Sequence, residues 1–262
     1  MMPRRIPSWL FTLILVLTVT GIYMLLLNQR TEDIEDNQFL LDTVVSIKLY
    51  QNRDKALLQS AFDYIAKMEG ELSRYRPHSE ISRINNAQAQ SWMEVSENTF
   101  QVLETAFVYA EISKGVFDPT IGPLVDIWGI GGENPQIPSN IEIARILPLI
   151  DYKAVQLNSE RKAVMLMREG LRLDIGGIAK GWIADEIANY LHENGAGHIL
   201  INLGGNVRVM GGKPDGKPFR IGMQDPFGER GNYLGVFSLS EGSVVSSGVY
   251  ERFFEADGIR YH

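Results

Sequence analysis

Residues 173–185, LDIGGIAKGWIAD, place three glycines and one lysine between an extended segment and a helical pattern. The segment LRLD, which runs into this stretch, predicts a strand, and a helix is expected to begin between Ile178 and Gly181. Gly176 and Gly177 allow the backbone a tight path that a Cβ atom would obstruct. The sequence therefore predicts a glycine-lined corner between a strand and a helix.

This corner has the chemistry of an anion site. The free N–H groups and the dipole of a helix N-terminus favour negative charge, and Lys180 adds a point charge suited to a phosphate oxygen. Asp174, at the end of the predicted strand, can accept a hydrogen bond from a hydroxyl group or a base edge, or approach a metal ion. The alternative is a structural turn with a solvated lysine, and this motif alone does not separate the two.

The composition is that of a folded domain and excludes several classes of function. The chain has 262 residues, of which 45% are hydrophobic and 22% charged. A net charge of −7 argues against a nucleic-acid partner. The sequence contains no cysteine, which excludes disulfides, thiolate metal sites, cysteine nucleophiles and lipid-modified cysteines.

An uncharged apolar segment lies near the N-terminus, at residues 9–27, and is close to the ~20 residues that a helix needs to cross a bilayer. Arg4 and Arg5 precede it and an acidic segment follows it, so the rest of the chain is expected outside the cytoplasm. A cleaved signal peptide is the alternative, but its apolar core would be shorter. We therefore predict a single-pass cell-membrane protein with an uncleaved anchor and an extracytoplasmic domain.

The remaining pattern predicts a single α+β domain. We place the anchor at residues 1–30, a polar linker at 31–38 and the domain at 39–262. Further elements are predicted as a strand over 40–50 and as helices over 55–75, over 96–115 and after Ser139. Short strands alternate with Gly, Pro and Asp turns elsewhere, so mostly antiparallel strands with packed helices are expected.

A second stretch, GVFDPTIGPLVDIWG at residues 115–129, combines a turn with an apolar lining. Asp118 begins the turn, and the lining consists of Phe117, Ile121, Leu124 and Trp128. Such a surface suits an aromatic ring such as an isoalloxazine. The alternative is an aromatic loop that packs on its own domain.

A third stretch, LSRYRPHSEISRIN at residues 72–85, places Tyr75 among Arg74, Arg76 and Arg83. An aromatic ring beside several cations suits a nucleotide. The alternative is a set of surface arginines that pair with Glu71 and Glu80.

Together these stretches resemble the FAD:protein FMN transferases, the ApbE-like flavin transferases. The resemblance extends in order over LLDTVVSI, LSRYRPHSEISRIN, FDPTIGPLVDIWG, LDIGGIAKGWIAD, INLGGNVRVMGG and VVSSGVYERFFEADGIRYH. It implies an enzyme that splits FAD at its pyrophosphate, moves FMN onto a threonine or serine hydroxyl of a partner protein, and releases AMP. It also implies Mg²⁺, attachment to a membrane, and acceptors among the flavoprotein subunits of membrane electron-transfer systems.

The resemblance also implies individual site residues. The FAD contacts would be Leu41, Tyr75, Val116, Phe117, Asp118, Asp174 and Lys180, and the carbonyl of Gly177 would bind the metal. Two blocks differ from the family pattern, because Leu41-Asp42 replaces Met-Gly and Val249 replaces an aspartate. The family continues beyond the Tyr-His at residues 261–262 with a histidine and a helix that carries side-chain metal ligands. We therefore expect a C-terminally incomplete domain, with a flavin-binding module that transfers nothing, or an assembly protein without flavin, as the alternatives.

Overall fold

The computed structural model describes residues 18, 32–130, 132, 134–229, 231–247 and 253–262. Apart from Thr18, the predicted anchor lies outside the described residues, as does Val249. Within the described ranges, no helix is both long and apolar enough to span a bilayer.

The described part of the chain combines strands and helices without a βαβ repeat. The strands are β1 Ile34–Leu40, β2 Thr43–Leu49, β3 Met93–Glu94, β4 Val155–Asn158, β5 Ala163–Leu166, β6 Ile199–Leu203, β7 Asn206–Met210, β8 Phe219–Gln224, β9 Tyr233–Leu239, β10 Gly242–Val245, β11 Phe254–Ala256 and β12 Ile259–Tyr261. The helices are α1 Lys55–Leu72, α2 Glu80–Asn85, α3 Glu97–Ile112, α4 Gly122–Trp128, α5 Asn140–Ile146 and α6 Gly176–Glu193, and two 3₁₀ turns follow α5 at Leu147–Leu149 and Tyr152–Ala154.

The main sheet has five strands in the order β1-β2-β6-β7-β10. Smaller sheets pair β3-β5-β4, β8-β9 and β11-β12. Neighbouring strands are antiparallel throughout these sheets, which confirms the predicted antiparallel α+β architecture.

The core lies between the main sheet and the two long helices α1 and α6, which pack on each other and on strands β1, β6 and β7. Ile183, Ile187 and Leu191 form the buried stripe of α6, as their helical spacing predicts. Alternate residues of β2 face the same cluster, because side chains along a strand point to opposite faces. Burial of these residues fixes α6, and hence the corner at its N-terminus, against the sheet.

The predicted linker over residues 31–38 is wrong from Ile34 onward, because β1 begins there and pairs along β2. β1 is a polar, mostly exposed edge strand, so its backbone hydrogen bonds hold it without the apolar alternation that identifies a strand in sequence. Leu41 and Asp42, predicted within a strand, instead form a two-residue turn with φ of 55° and 56°.

The corner at residues 173–185 also differs from its prediction. LRLD does not form a strand, because only Arg172 pairs, through one parallel bridge to Ile121. α6 begins at Gly176, earlier than the expected start between Ile178 and Gly181. The two glycines are therefore the first residues of the helix rather than a turn that precedes it. The helix ends at Glu193, and Gly195 follows in a left-handed conformation, as its sequence predicts.

Two of the predicted helices have side-chain caps at their N-termini, and two end about one turn earlier than predicted. The side chain of Ser96 caps α3, and Ser139 caps α5 in a capping box with Glu142. The helices predicted to end at residues 75 and 115 end at Leu72 and Ile112.

Candidate functional site

A cavity of about 1240 Å³ opens where the β1–β2 turn, the β6–β7 turn and the N-terminus of α6 meet. Its wall also includes the C-terminal end of α1, one face of α3, the loop before α4, α4 itself and the last residues of the chain. Elements that are far apart in the sequence therefore build one concave surface. A cavity of this size is large enough for a dinucleotide.

Six of the predicted site residues line this cavity, namely Leu41, Tyr75, Phe117, Asp174, Gly177 and Lys180. The predicted apolar lining is there too, because Ile121, Leu124 and Trp128 belong to the same wall. Val116 and Asp118 do not line the cavity. The side chain of Val116 points to solvent, with 92% of the residue exposed.

Asp118 instead braces the loop that carries Phe117. Its Oδ1 accepts hydrogen bonds from the backbone N–H of Thr120 at 2.8 Å and from the Thr120 hydroxyl at 2.6 Å. Its Oδ2 accepts from the backbone N–H of Tyr152 at 3.1 Å. The Asp118 carboxylate thus braces its own loop, and its contact with FAD stays a prediction.

Arg74, whose side chain is largely buried, holds the entrance to α6. Arg74 donates from Nη1 to Asp174 Oδ2 at 2.6 Å and pairs through Nη2 with Asp126. Burial opposes the charge of Arg74, but its hydrogen bond to Asp174 and the attraction of both carboxylates outweigh this effect and raise the pKa of Arg74. The other oxygen of Asp174 accepts from the Gly176 N–H at 2.8 Å. Asp174 therefore links the buried cation to the first turn of α6.

The arginines of residues 72–85 do not form the surface pairs considered as their alternative. Arg74 lies 5.3 Å from the ring centre of Tyr75, and Arg76 pairs with Glu69 at 2.8 Å. Glu71 and Glu80 have other partners, which are Lys67 and Asn98 for Glu71 and Ser96 for Glu80. Tyr75 is 64% exposed at the cavity edge, so one face of its ring is open to a ligand.

A second unforeseen contact ties the segment before α6 to α2. The side chain of Asn85 accepts from the Leu173 N–H at 2.7 Å and donates to the Leu173 carbonyl at 2.9 Å. The side-chain amide thus replaces the neighbouring strand that LRLD lacks.

The variant Asn85→Ala should leave both backbone groups of Leu173 unpaired and lower the free energy of unfolding by about 2 kcal/mol. For a chain of this size we expect a melting temperature about 4–8 °C lower in a thermal unfolding experiment. Asn194→Ala is the matched control, because Asn194 is exposed and donates one hydrogen bond at a helix end. Equal melting temperatures for the two variants would contradict this role of Asn85.

The first turn of α6 presents backbone rather than side chains to the cavity. A Cβ atom on Gly177 would lie 3.2 Å from Cε2 of Phe117, so glycine permits close contact between the helix and this ring. The Gly177 N–H has no acceptor among the described residues, in keeping with a helix start that can receive an anion. Lys180 lies one turn further along the same wall.

The described residues do not build a metal site on their own. They contain no group of three or more His, Asp or Glu side chains that could hold a metal ion. Asp174 is already paired with Arg74, which lowers its value as a cation ligand. Gly177 lies inside the helix, where its carbonyl is directed along the helix axis toward the i+4 N–H. The predicted Mg²⁺ therefore does not fit these residues alone.

Comparisons with known proteins agree with the architecture. The profile of the ApbE family matches residues 41–262. A protein from Klebsiella pneumoniae named FAD:protein FMN transferase is 35% identical over 223 residues, which is 85% of this chain and 68% of that protein. A protein of the same name from Treponema pallidum is 30% identical, over 89% of this chain and 69% of its own length.

Solved structures show the same fold. The crystal structure of an ApbE protein from Thermotoga maritima superposes with a TM-score of 0.80 at 32% identity, over 88% of this chain and 75% of that one. The flavin transferase ApbE from Vibrio cholerae gives 0.69 at 27% identity, over 74% of this chain and 64% of that one. The family profile covers most of the chain, and the relatives share both its sequence and its architecture. The chain therefore belongs to the ApbE family.

Proposed function

We propose that this protein transfers FMN from FAD to a threonine or serine hydroxyl of a partner protein and releases AMP. The observation that carries the proposal is the single cavity that unites Leu41, Tyr75, Phe117, Asp174, Gly177 and Lys180, in a chain whose relatives are named FAD:protein FMN transferase. The individual contacts of these residues with FAD stay predictions.

Each part of the cavity wall suits one part of FAD. The apolar wall formed by Phe117, Leu124 and Trp128 suits the isoalloxazine ring. The N-terminus of α6 and Lys180 suit the pyrophosphate, because both favour negative charge. The paired Arg74 and Asp174 hold that helix start in place rather than adding net charge.

The proposed transfer replaces the phosphoanhydride bond between the two halves of FAD with a phosphoester bond to the acceptor. The acceptor hydroxyl attacks the phosphorus on the FMN side of the pyrophosphate, the bond to the bridging oxygen breaks, and AMP leaves with that oxygen. The hydroxyl proton passes to a base, and the negative charge that develops on the leaving phosphate needs nearby positive groups. Lys180 and the backbone N–H groups of α6 serve this second need.

We retain the Mg²⁺ requirement as part of the proposal. A bound Mg²⁺ would neutralise charge on the pyrophosphate. Because the described residues do not complete a cation site, no step above depends on it. Magnesium titration of the transfer reaction, with EDTA as the control, tests the requirement directly.

The membrane location and the partners also belong to the proposal. The apolar segment at residues 9–27 would anchor the chain and leave the domain outside the cytoplasm. The acceptors would be flavoprotein subunits of membrane electron-transfer systems. Protease added to intact spheroplasts should digest the domain, whereas protection of the domain would contradict this orientation.

The decisive experiment incubates the full chain with FAD, Mg²⁺ and an acceptor flavoprotein subunit, and measures the mass of the acceptor. Gain of one FMN confirms transfer. An unchanged acceptor mass with FAD still bound to the chain would favour the non-transferring flavin-binding module. A flat FAD titration of well-folded protein would favour an assembly protein that has no flavin.

The variant Lys180→Ala should bind FAD roughly 10- to 100-fold more weakly, since a charge-assisted contact to the pyrophosphate is lost. Quenching of flavin fluorescence in a titration measures the affinity. Lys217→Ala is the control, because Lys217 is an exposed lysine paired with Asp215 outside the cavity wall. Unchanged affinity in Lys180→Ala would refute the phosphate role of this lysine.

A further inference from the structure

The buried side-chain amide of Asn206 lies in the cavity wall and lacks one partner. Asn206 is the first residue of β7, directly after the glycine turn that joins β6 to β7. It is 7% exposed, and its Oδ1 is buried with no hydrogen-bond partner among the described residues. Buried side-chain oxygens are nearly always hydrogen-bonded, so an unpaired one requires an explanation.

The next polar residue on the same face of β7 shows that this face otherwise satisfies its polar groups. Arg208 is two positions along the strand and is also buried. It donates to Asp185 at 2.7 Å and to the Val209 carbonyl at 2.6 Å, and it lies 3.6 Å from Glu241. The fold therefore supplies partners for the buried guanidinium of Arg208 but leaves the amide oxygen of Asn206 without a hydrogen bond among the described residues.

The position of the amide connects it to the predicted phosphate corner. Its Nδ2 would lie 3.7 Å from a Cβ atom placed on Gly181, so it packs against the second turn of α6. Gly181 follows Lys180 in the chain, and both residues line the cavity. Asn206 and Lys180 therefore belong to the wall of the same cavity.

We propose that Asn206 binds a sugar-type hydroxyl that flanks the pyrophosphate of the dinucleotide. A hydroxyl can donate to the amide oxygen and accept from the amide nitrogen, whereas a phosphate oxygen only accepts. Rotation about χ2 exchanges these two amide atoms, so either can face the ligand. The inference rests on the proposed function, because FAD carries hydroxyl groups on both sides of its pyrophosphate.

The variant Asn206→Leu tests this role, since leucine has nearly the same volume and no polar atom. Thermal unfolding of the full chain without FAD should give an unchanged or higher melting temperature, because the unpaired buried oxygen is removed. FAD affinity, measured by flavin fluorescence, should fall roughly tenfold. Asn202→Leu is the matched control, because Asn202 accepts a hydrogen bond from the Gly205 N–H at 2.9 Å and its loss should lower the melting temperature.

Three further ligands separate a hydroxyl contact from a phosphate contact. AMP and FMN carry the hydroxyls of the two halves of FAD, and inorganic pyrophosphate carries none. Asn206→Leu should weaken binding of AMP or FMN roughly tenfold and leave pyrophosphate binding unchanged. Weaker binding of pyrophosphate would overturn the hydroxyl assignment.

The remaining outcomes distinguish this inference from the proposed function. If the wild-type chain binds FAD and Asn206→Leu binds it equally well, Asn206 is not a ligand residue, although the proposed function stands. If Asn206→Leu melts lower, as Asn202→Leu should, then Asn206 has a structural role and the inference is wrong. If the wild-type chain does not bind FAD, the proposed function fails and the inference fails with it.

Discussion

Replacement of Arg74 with methionine is expected to lower the melting temperature by about 5–10 °C, which corresponds to a loss of roughly 2–3 kcal/mol in the free energy of unfolding. The Arg74 side chain is only 9% exposed, and its guanidinium group pairs with Asp174 and Asp126. Methionine fills a similar volume but leaves the largely buried Asp174 carboxylate without its cation. Because Asp174 also holds the Gly176 N–H, FAD affinity should fall in the same variant.

Two further variants show whether the effect comes from the buried charge. Arg161→Met is the matched control, since Arg161 and its partner Glu94 are both exposed and exposed ion pairs contribute about 0–1 kcal/mol. The double variant Arg74→Met/Asp174→Asn should recover part of the lost stability, because no unpaired carboxylate remains at that position. If Arg74→Met and Arg161→Met melt at the same temperature, Arg74 does not stabilise this corner.

Gly204→Ala should cost about 3 kcal/mol and lower the melting temperature by about 6–12 °C. Gly204 has a left-handed φ of 60°, and an added Cβ atom would lie 2.3 Å from Thr43 Oγ1 and 2.9 Å from Thr43 Cβ. Thr43 is the first residue of β2 and follows the turn that carries Leu41. Relief of the overlap moves one wall of the cavity, so weaker FAD binding should accompany the loss of stability.

The variant Gly216→Ala separates the cost of steric overlap from the cost of a left-handed backbone conformation. Gly216 also has a positive φ, 79°, but a Cβ atom there would have nothing within 4 Å. We expect a cost of about 1 kcal/mol for this variant, from the conformational preference alone. Equal losses in the two variants would mean that contact between Gly204 and Thr43 does not constrain the cavity wall.

Much of the fold could be predicted from the sequence because an element with one buried face repeats apolar residues at the spacing of a helix or a strand. The stripe of α6 and the alternation of β2 both reflect one buried face, and the capping serines carry their own local signal. β1 was not predicted because backbone hydrogen bonds to β2 hold this edge strand, and its sequence lacks the alternating apolar residues typical of a strand. The Leu41-Asp42 turn was not predicted because neither residue is the glycine or asparagine that such a turn favours.

The candidate site also has a part that could be predicted from the sequence and a part that could not. The three motifs and the family resemblance together indicate most residues of the cavity wall, whereas no single motif separates a binding site from a structural turn or loop. Contacts between distant residues did not follow from them. Arg74 meets Asp174 across 100 positions and Asn85 meets Leu173 across 88, and residue type does not specify such a partner. Asp118 is the converse case, since the sequence could not show that Thr120 and Tyr152 already occupy its carboxylate.

The polar edge strand β1 has a consequence for association between copies of the chain. The edge of a sheet offers a row of unpaired N–H and C=O groups on which another strand can add. Glu35 and Asp36 are exposed along this edge, so two chains meeting there would bring like charges together. The same acidic residues that make β1 difficult to predict as a strand thus disfavour edge-to-edge aggregation.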